Sequence, residues 1–187
     1  MPALVDTDRL EVRADEQIAL SPHPDRAGSR GWGALFPRVA VVATLRDRAT
    51  GAMFTAIGTH LDHVSGRARR KAARQLSDLV LRGGLPAVLM GDLNAGADAP
   101  ALRHLTGEGG LRDAWQVAAT TASPELGTRP GYRAPQHRGR RIDHILVTPG
   151  IEVARVGANT SGFDGRRPSD HLPVQAAVRI AQREEHS

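Results

Sequence analysis

The sequence has no cysteine, so disulfides and thiolate metal sites are excluded, and any bound metal must use oxygen or nitrogen ligands. Aromatic residues make up only 3% of the chain, and the core must therefore consist mainly of Leu, Val, Ile and Ala. No apolar run approaches the roughly 20 residues of a membrane span. The N-terminus lacks the basic and apolar segments of a signal peptide, so we expect a cytoplasmic protein.

Lysine is almost absent too: Lys71 is the only one, and arginine supplies nearly all the positive charge behind a net charge of +5 and a pI near 11.0. Such a balance suits a polyanionic substrate or partner, including nucleic acid. An arginine- and alanine-rich composition can equally reflect coding bias, so charge alone does not decide. The length suffices for one domain with a real core but not comfortably for two, and we expect a single domain over residues 1–187.

Apolar periodicity predicts alternating strands and helices along the chain. Residues 39–45 and 53–59 are two apolar stretches around a turn, which is typical of a β-hairpin. Residues 65–82 carry apolar side chains at helical spacing after a suitable cap, Ser65, and predict a long helix that ends at a Gly-Gly pair. Further strands are expected at residues 10–12, 87–90, 142–147, 151–156 and 174–180, and short helices at residues 99–105 and 111–118.

The connections between these strands alternate between hairpins and helical crossovers. The strand at 87–90 is apolar on both faces, which indicates a sheet covered on both sides. Two packed sheets with helices outside fit this pattern better than a simple doubly wound sheet. Residues 22–37, rich in proline and glycine, and the basic stretch 120–140 are expected to be loops, and residues 181–187 a frayed tail.

Four short segments end in acid, amide or imidazole side chains: GTHL at 58–61, GDLN at 91–94, RIDH at 141–144 and SDH at 169–171. The first three follow or lie in apolar runs of strand length, and the fourth precedes one. A metal-assisted phosphate hydrolase needs such groups at strand ends. Carboxylates hold a divalent cation and activate water, while imidazoles and amides neutralise charge on phosphate oxygens. Four segments in this order predict a site of that kind.

Asp92 and Asn94 follow a buried strand and are two residues apart. If the segment stays extended, a carboxylate and an amide project to the same side, one to accept a proton from water and the other to donate to a phosphate oxygen. The alternative is a strand-end turn in which both side chains only satisfy backbone groups.

Asp143 lies within an apolar strand, where a carboxylate costs several kcal/mol unless it is paired. A histidine is the natural partner, because the acid fixes its tautomer and stabilises the imidazolium; we expect His171. The arginines at 138, 140 and 141 are the alternative partners. Asp170 is a candidate metal ligand, and a loop-to-strand cap is its alternative role.

His60 ends the strand that begins near residue 53, and Asp62 and His63 follow closely. The stretch THLDH at 59–63 resembles a shortened form of the zinc-site motif of metallo-β-lactamase-like hydrolases, but it lacks the intervening histidine of that motif. We therefore expect Asp62 and His63 to be surface residues that open the next helix.

Taken in order, the four segments resemble the motifs of the endonuclease/exonuclease/phosphatase superfamily, which has the DNase I-like fold. The resemblance runs from about residue 39 to residue 180, and LRDAW at 111–115 is similar to a further family motif. It implies an α/β fold, a four-layer α-β-β-α sandwich, and Mg²⁺- or Mn²⁺-dependent cleavage of phosphoester bonds by in-line attack. Residue by residue, it implies water activation by Asp92, phosphate contacts from His60 and Asn94, transition-state stabilisation by His171 held by Asp143, and metal binding by Asp170.

The chain departs from the family pattern in its N-terminal part. The family has an early strand ending in Asn and a Gln-Glu pair whose Glu is a main metal ligand; neither is present, and Glu16 and Gln17 stand in reverse order. The resemblance therefore covers the C-terminal two-thirds of the fold and predicts that one sheet lacks strands. Because Mg²⁺ depends on few protein carboxylates, the alternative to an enzyme is a catalytically impaired, truncated domain that binds phosphate ligands or a partner.

The sequence does not identify the substrate. Four side chains of the loop at 120–140 are candidates to contact a phosphate or stack on a base, with solvated loop residues as the alternative: Arg129, Tyr132, Arg133 and Arg138.

Overall fold

A computed structural model describes residues 3–137 and 139–181. Its larger sheet has six strands in the order β1-β2-β3-β4-β7-β5. All neighbouring strands are antiparallel except β3 and β4, which are parallel. These strands are β1 (Leu10–Ala19), β2 (Val39–Asp47), β3 (Met53–His60), β4 (Ala87–Asp92), β5 (Arg112–Asp113) and β7 (Asp143–Val147).

The parallel connection between β3 and β4 is made by helix α1 (Gly66–Gly83). Ser65 caps this helix by accepting a hydrogen bond from the amide of Ala68 at 3.1 Å, and Gly84 ends it in the left-handed conformation, with φ of 64°. Helix α2 (Pro100–Thr106) packs beside α1. The apolar faces of both helices join the sheet in the largest core cluster, which includes Ile57, Leu76, Leu89, Leu105 and Leu146.

A second sheet of three strands faces the first. It contains β6 (Thr120–Thr121), β8 (Ile151–Ala158) and β9 (Val174–Ile180) in the order β6-β8-β9. Its inward side chains and the short helix α3 (Ala114–Val117) join Val88 and Val147 of the larger sheet in a second core cluster. The arrangement is an α/β sandwich with two packed sheets, as the sequence predicts.

The sequence predicts that one sheet lacks strands, and in the described part of the chain the smaller sheet has only three. Within residues 3–137 and 139–181, β9 pairs with β8 alone, and its inward residue Val178 is 38% exposed. The outward side chains of this sheet, such as Glu152, Arg155 and Arg179, are exposed. The helical layer of α1 and α2 therefore covers the larger sheet, and in the described part of the chain no helix covers the smaller one.

The structure corrects three element predictions. The first strand spans Leu10–Ala19 rather than residues 10–12; it is a largely exposed edge strand, so its sequence carries little apolar periodicity. Residues 111–118 form the two-residue strand β5 and the single turn α3 rather than one helix. The stretch 120–140 contains β6 and an isolated bridge between Leu126 and His137.

Residues 22–37 form no helix or strand, as expected, whereas all but the first residue of the predicted tail lies outside the described residues. None of the helices in the described ranges has the length and apolar character that a bilayer crossing requires.

Because two leucines differ in burial, we expect their replacement by alanine to lower the free energy of unfolding by very different amounts. Leu89 is fully buried between the helices and the sheet, whereas Leu81 on α1 is 64% exposed. Leu89→Ala should lower the free energy of unfolding by about 2–5 kcal/mol, because it removes packed methyl groups and leaves a cavity. Leu81→Ala should change it by less than about 0.5 kcal/mol. Urea denaturation measures both, and equal losses would contradict this packing.

Candidate active site

A pocket of about 400 Å³ opens at the end of the larger sheet where β3 and β4 finish. Its lining side chains are all polar and come from four separated parts of the chain: His60, His63, Asp92, Asn94, Arg129, Asp170 and His171. Five of the six predicted site residues therefore line one pocket. The sixth, Asp143, is hydrogen-bonded to one of the lining residues, His171.

Backbone register creates this convergence. In the parallel pair β3–β4, His60 stands opposite Asp92, and in the antiparallel pair β4–β7, Asp92 stands opposite Asp143. Three polar side chains from distant sequence segments thus lie side by side across neighbouring strands. Gly91 permits this packing: its φ is 140°, and a Cβ at this position would come within 1.8 Å of the carbonyl oxygen of Thr59.

Asp92 is held by its neighbours in a defined orientation. Its Oδ1 accepts a hydrogen bond from the backbone amide of Asn94 at 2.8 Å, and its Oδ2 lies 3.3 Å from Nε2 of His60. The Asp92 side chain is only 13% exposed. One oxygen is thus fixed by the backbone, and the other faces the imidazole.

Asn94 reaches the pocket by a different route from the one expected. The strand ends at Asp92, and Asn94 adopts a left-handed conformation with φ of 48° instead of continuing extended. Its Nδ2 donates to the carbonyl of Leu61 at 2.9 Å. The strand-end turn offered as the alternative is therefore present. It coexists with a place in the pocket wall, because the amide still has a second N–H and its carbonyl oxygen.

The expected pairing of His171 with Asp143 is present. Nδ1 of His171 lies 2.9 Å from Oδ2 of Asp143, and both side chains are largely buried. Because a carboxylate only accepts, Nδ1 carries the proton in this bond and Nε2 is left for other contacts. Of the alternative arginine partners, Arg141 pairs with Asp113 instead, Arg140 makes no ion pair within the described ranges, and Arg138 lies outside them.

Asp170 lies at the pocket rim and is partly exposed. Its Oδ2 is 3.6 Å from Nε of Arg129, and its backbone carbonyl accepts from the amide of Gly131 at 3.0 Å. Its role as a metal ligand stays a prediction. The same holds for the roles of the other five predicted residues, which the geometry brings together without assigning their chemistry.

The strongest geometric candidate for a metal centre, among the residues that the structure describes, is Asp92, Asp143 and His171. One ligand atom of each lies within 4.8 Å of the others. Two carboxylates with no sulfur suit a hard divalent cation such as Mg²⁺ or Mn²⁺. Glu16 and Gln17 offer nothing here, because they lie on the exposed edge strand β1, paired with β2.

The expectation that Asp62 is a surface residue is wrong. It is 2% exposed, and its carboxylate accepts hydrogen bonds from the amides of Leu35, Val64 and Ser65. Arg38 lies 3.7 Å away. Burial by itself raises the pKa of Asp62, but these hydrogen bonds reverse that effect and hold the pKa below its usual value. Asp62 thus joins the loop 22–37 to the start of α1.

His63 is exposed, as expected, but it also lines the pocket. Its ring stacks on Phe36 with centroids 6.2 Å apart, and its Nδ1 lies 3.0 Å from Nη2 of Arg38. Its closeness to His60 in sequence was the available signal for this position.

Sequence analysis missed a buried charged cluster behind the pocket. Arg141 donates two hydrogen bonds to Asp113, at 3.2 and 2.8 Å, and its guanidinium lies 5.3 Å from the ring centre of Trp115. Nδ1 of His144 lies 2.7 Å from Nη1 of Arg141, and Nε2 donates to the carbonyl of Ala95 at 2.9 Å. The cluster therefore ties β7 to the start of α3 and to the turn that carries Asn94.

Charge balance in this cluster favours the ionised acid. Burial alone raises the pKa of Asp113, but its contacts with His144 and Arg141 outweigh burial and hold the pKa below the usual value. The LRDAW segment supplied the signal for Asp113, and RIDH supplied Arg141 and His144. What the sequence did not reveal was that these residues pair with one another.

Residues 11–171 match the model of the Endonuclease/Exonuclease/phosphatase family. The chain belongs to the endonuclease/exonuclease/phosphatase family. Members of this family are hydrolases that act on phosphoester bonds, and they generally depend on a divalent metal.

Solved structures of this family resemble the chain closely in fold. A family protein from Bacteroides thetaiotaomicron is 28% identical with a TM-score of 0.88, covering 97% of this chain and 68% of its own. One from Bacteroides vulgatus is 32% identical with a TM-score of 0.85, with coverage of 93% and 67%. A mannosyl-6-phosphatase from Bacteroides thetaiotaomicron is 28% identical with a TM-score of 0.81, with coverage of 93% and 68%.

The chain therefore spans about two thirds of the length of these relatives, and its fold is of the DNase I-like type, as predicted. No curated protein matches it.

The geometry predicts how His60 titrates. Burial lowers the pKa of His60 below 6.5, although the charge of Asp92 acts in the opposite direction. The neutral imidazole is thus favoured in the folded state. The contribution of His60 to stability is fully present above its pKa in the unfolded chain. It is lost as the pH falls through the lower pKa that His60 has in the folded protein.

NMR titration of the metal-free protein, with the signal assigned by comparison with His60→Gln, should give a midpoint below the ordinary histidine value of 6.5. Asp92→Asn removes the charge that raises this pKa and should lower the midpoint further. A midpoint above the ordinary histidine value, or a higher midpoint in Asp92→Asn, would contradict this account of how burial and Asp92 set the pKa of His60.

Replacing a buried and an exposed arginine tests how much the buried cluster contributes to stability. Arg141→Met leaves Asp113 buried without its cation and should destabilise the protein by about 3–5 kcal/mol. Arg179→Met breaks an ion pair with Glu152 whose side chains are 75% and 58% exposed, and should cost less than about 1 kcal/mol. Chemical denaturation measures the free energy of unfolding of both variants. Similar losses would show that the buried cluster stabilises the fold no more than an exposed ion pair does.

Proposed function

We propose that this chain is a divalent-metal-dependent phosphoesterase that cleaves phosphodiester or phosphomonoester bonds by in-line attack of water. The observation that carries the proposal is the meeting of Asp92 and the Asp143–His171 pair in one polar pocket. A carboxylate that accepts protons, an oriented imidazole and further N–H donors are the groups that such a reaction requires.

In this proposal Asp92 accepts the proton of the attacking water. The Oδ1 atom is occupied by the amide of Asn94, so Oδ2, which faces His60, is the available acceptor. His60 lies beside it and can donate from its neutral ring to a phosphate oxygen. The backbone bond to Asn94 keeps the Asp92 side chain from rotating, which preserves the distance between the acceptor and the bound substrate.

His171 neutralises the charge that grows on the phosphate oxygens. Asp143 fixes its Nδ1–H, so Nε2 points away from the carboxylate. When His171 is protonated, this nitrogen donates to the substrate and Asp143 stabilises the imidazolium. The remaining N–H of Asn94 provides a further donor on the same side of the pocket.

The residues present fit a hard cation, and the metal proposed is Mg²⁺ or Mn²⁺. Asp143, Asp92 and the rim residue Asp170 offer carboxylate oxygens, and these are the ligands that both ions prefer. When bound, the cation supplies positive charge to the phosphate oxygens.

Two observations favour the alternative, a catalytically impaired domain that binds phosphate ligands or a partner. No glutamate lines the pocket within the described ranges, and the smaller sheet has three strands. A site with few carboxylates holds Mg²⁺ weakly, whereas the arginine and imidazole donors remain able to bind phosphate.

The substrate is proposed to be a phosphate ester, with nucleic acid among the candidates. The similarity to a mannosyl-6-phosphatase supports a small phosphorylated molecule, and the pI near 11.0 supports a polyanion. A cytoplasmic location stays an expectation from the sequence alone.

Hydrolysis of bis-p-nitrophenyl phosphate with Mg²⁺ or Mn²⁺ tests the proposal. Asp92→Ala should lower kcat by at least about 100-fold, because general acid–base catalysis contributes about 10²–10⁴-fold. Asp78→Ala, an exposed carboxylate on α1, is the matched control and should keep the wild-type rate. Equal rates in all three proteins would end the catalytic proposal. Phosphate binding without metal-dependent turnover would support the alternative.

A further inference from the structure

A second groove adjoins the candidate active site. It has a volume of about 440 Å³ and shares His63, Asn94 and Arg129 with the first pocket, so the two form one continuous cleft. Arg69 and Arg140 line only the second part. No acidic side chain lines this groove within the described ranges, which leaves three guanidinium groups facing one cavity.

Arg140 is the least compensated of these cations. Its side chain makes no hydrogen bond or ion pair with any residue in the described ranges. It lies over Gly96, where a Cβ would come within 3.2 Å of its Nε. Asp98 and Glu125 line a neighbouring cavity with Arg140, but Glu125 pairs with Arg141 and neither acid forms an ion pair with Arg140. Among the described residues, the groove therefore contains an arginine without a paired protein anion.

Arg69 is placed where a cation is unfavourable. It lies in the first turn of α1, close to the positive end of the helix dipole, and this turn contains no acidic residue. Its Nη1 donates to the carbonyl of Asp62 at 2.7 Å. Burial and repulsion by Arg140 and Arg70 lower the pKa of Arg69, and the nearby carboxylate of Asp62 offsets only part of this effect. A bound anion would relieve this repulsion.

We infer that this groove, defined by Arg69, Arg129 and Arg140, binds a second phosphate group of the substrate while the first occupies the pocket of His60, Asp92 and His171. The inference rests on the proposed phosphoesterase function and specifies its substrate class: a phosphate ester that carries another phosphate nearby. Arginine suits this task because its planar donors match phosphate oxygens. Arg129 borders both parts of the cleft and contacts either group.

The test compares matched substrates with one and two phosphates. Fructose 6-phosphate against fructose 1,6-bisphosphate represents a sugar ester, and dTpdT against pdTpdT represents a nucleotide ester. In at least one pair, the second phosphate should raise kcat/KM by about tenfold or more, since hydrogen bonds to charged groups are strong and 1.4 kcal/mol corresponds to tenfold.

Arg140→Gln should abolish most of this preference, and Arg69→Gln should reduce it. Arg74→Gln is the matched control: Arg74 is an exposed arginine of α1 outside the groove, and its loss removes the same charge. If the arginines act only by general attraction of anions, all three variants reduce the ratio equally. That result, or the absence of a preference in the wild type for both pairs, would overturn the inference.

Binding separates this inference from the proposed function. Calorimetric titration in EDTA, where metal-dependent turnover stops, measures the affinities of the same compounds for the intact chain. Tighter binding of a two-phosphate compound that depends on Arg140 supports the groove even if no ester is hydrolysed, and only the catalytic proposal then fails. Hydrolysis without any affinity difference between wild type and Arg140→Gln rejects the groove and leaves the catalytic proposal standing.

Discussion

The register of β3, β4 and β7 is the constraint on which the site depends. It places His60, Asp92 and Asp143 next to one another across three strands. Two partly buried carboxylates at this distance repel each other unless a cation or proton is shared between them. The His171 ring meets part of this requirement from the side of Asp143. A divalent cation would meet the rest, which links the fold directly to the proposed chemistry.

A second layer of polar contacts holds this register from behind. The bidentate pair between Arg141 and Asp113 is 5% and 3% exposed, so it is one of the most deeply buried ion pairs in the described part of the chain. Thr128 accepts hydrogen bonds from the amides of Ile142 and Asp143. These contacts fix the start of β7, where Asp143 lies, and His144 carries the same restraint to the turn after β4. The candidate site residues are therefore supported by groups that do not line the pocket.

Much of the fold follows from local sequence. The apolar runs predicted β2, β3, β4, β7, β8 and β9 and the long helix because each buries a continuous or periodic set of side chains. The exposed edge strand β1 was underestimated, since it contributes few side chains to the core. The short segments β5 and α3 were merged because two-residue strands depend on their pairing partner and not on their own periodicity.

The positions of the candidate site residues were predictable in part, while their roles stay predictions. Asp92 was identified because it follows a buried apolar strand, and Asp143 because a carboxylate in an apolar strand is costly unless it is paired. The burial of Asp62 was missed because two of its partners, Leu35 and Arg38, lie 27 and 24 residues away in the sequence. Arg69 and Arg140 gave no signal in a chain with 25 basic residues, since only the folded structure separates groove arginines from solvated ones.

Anomalous diffraction from crystals containing Mn²⁺ would locate a cation bound between the carboxylates. We expect one strong peak in the pocket, at about 2.0–2.2 Å from carboxylate oxygens of the group Asp92, Asp143 and Asp170. A pocket without such a peak at saturating Mn²⁺, with ions bound only at other surfaces, would contradict this expectation.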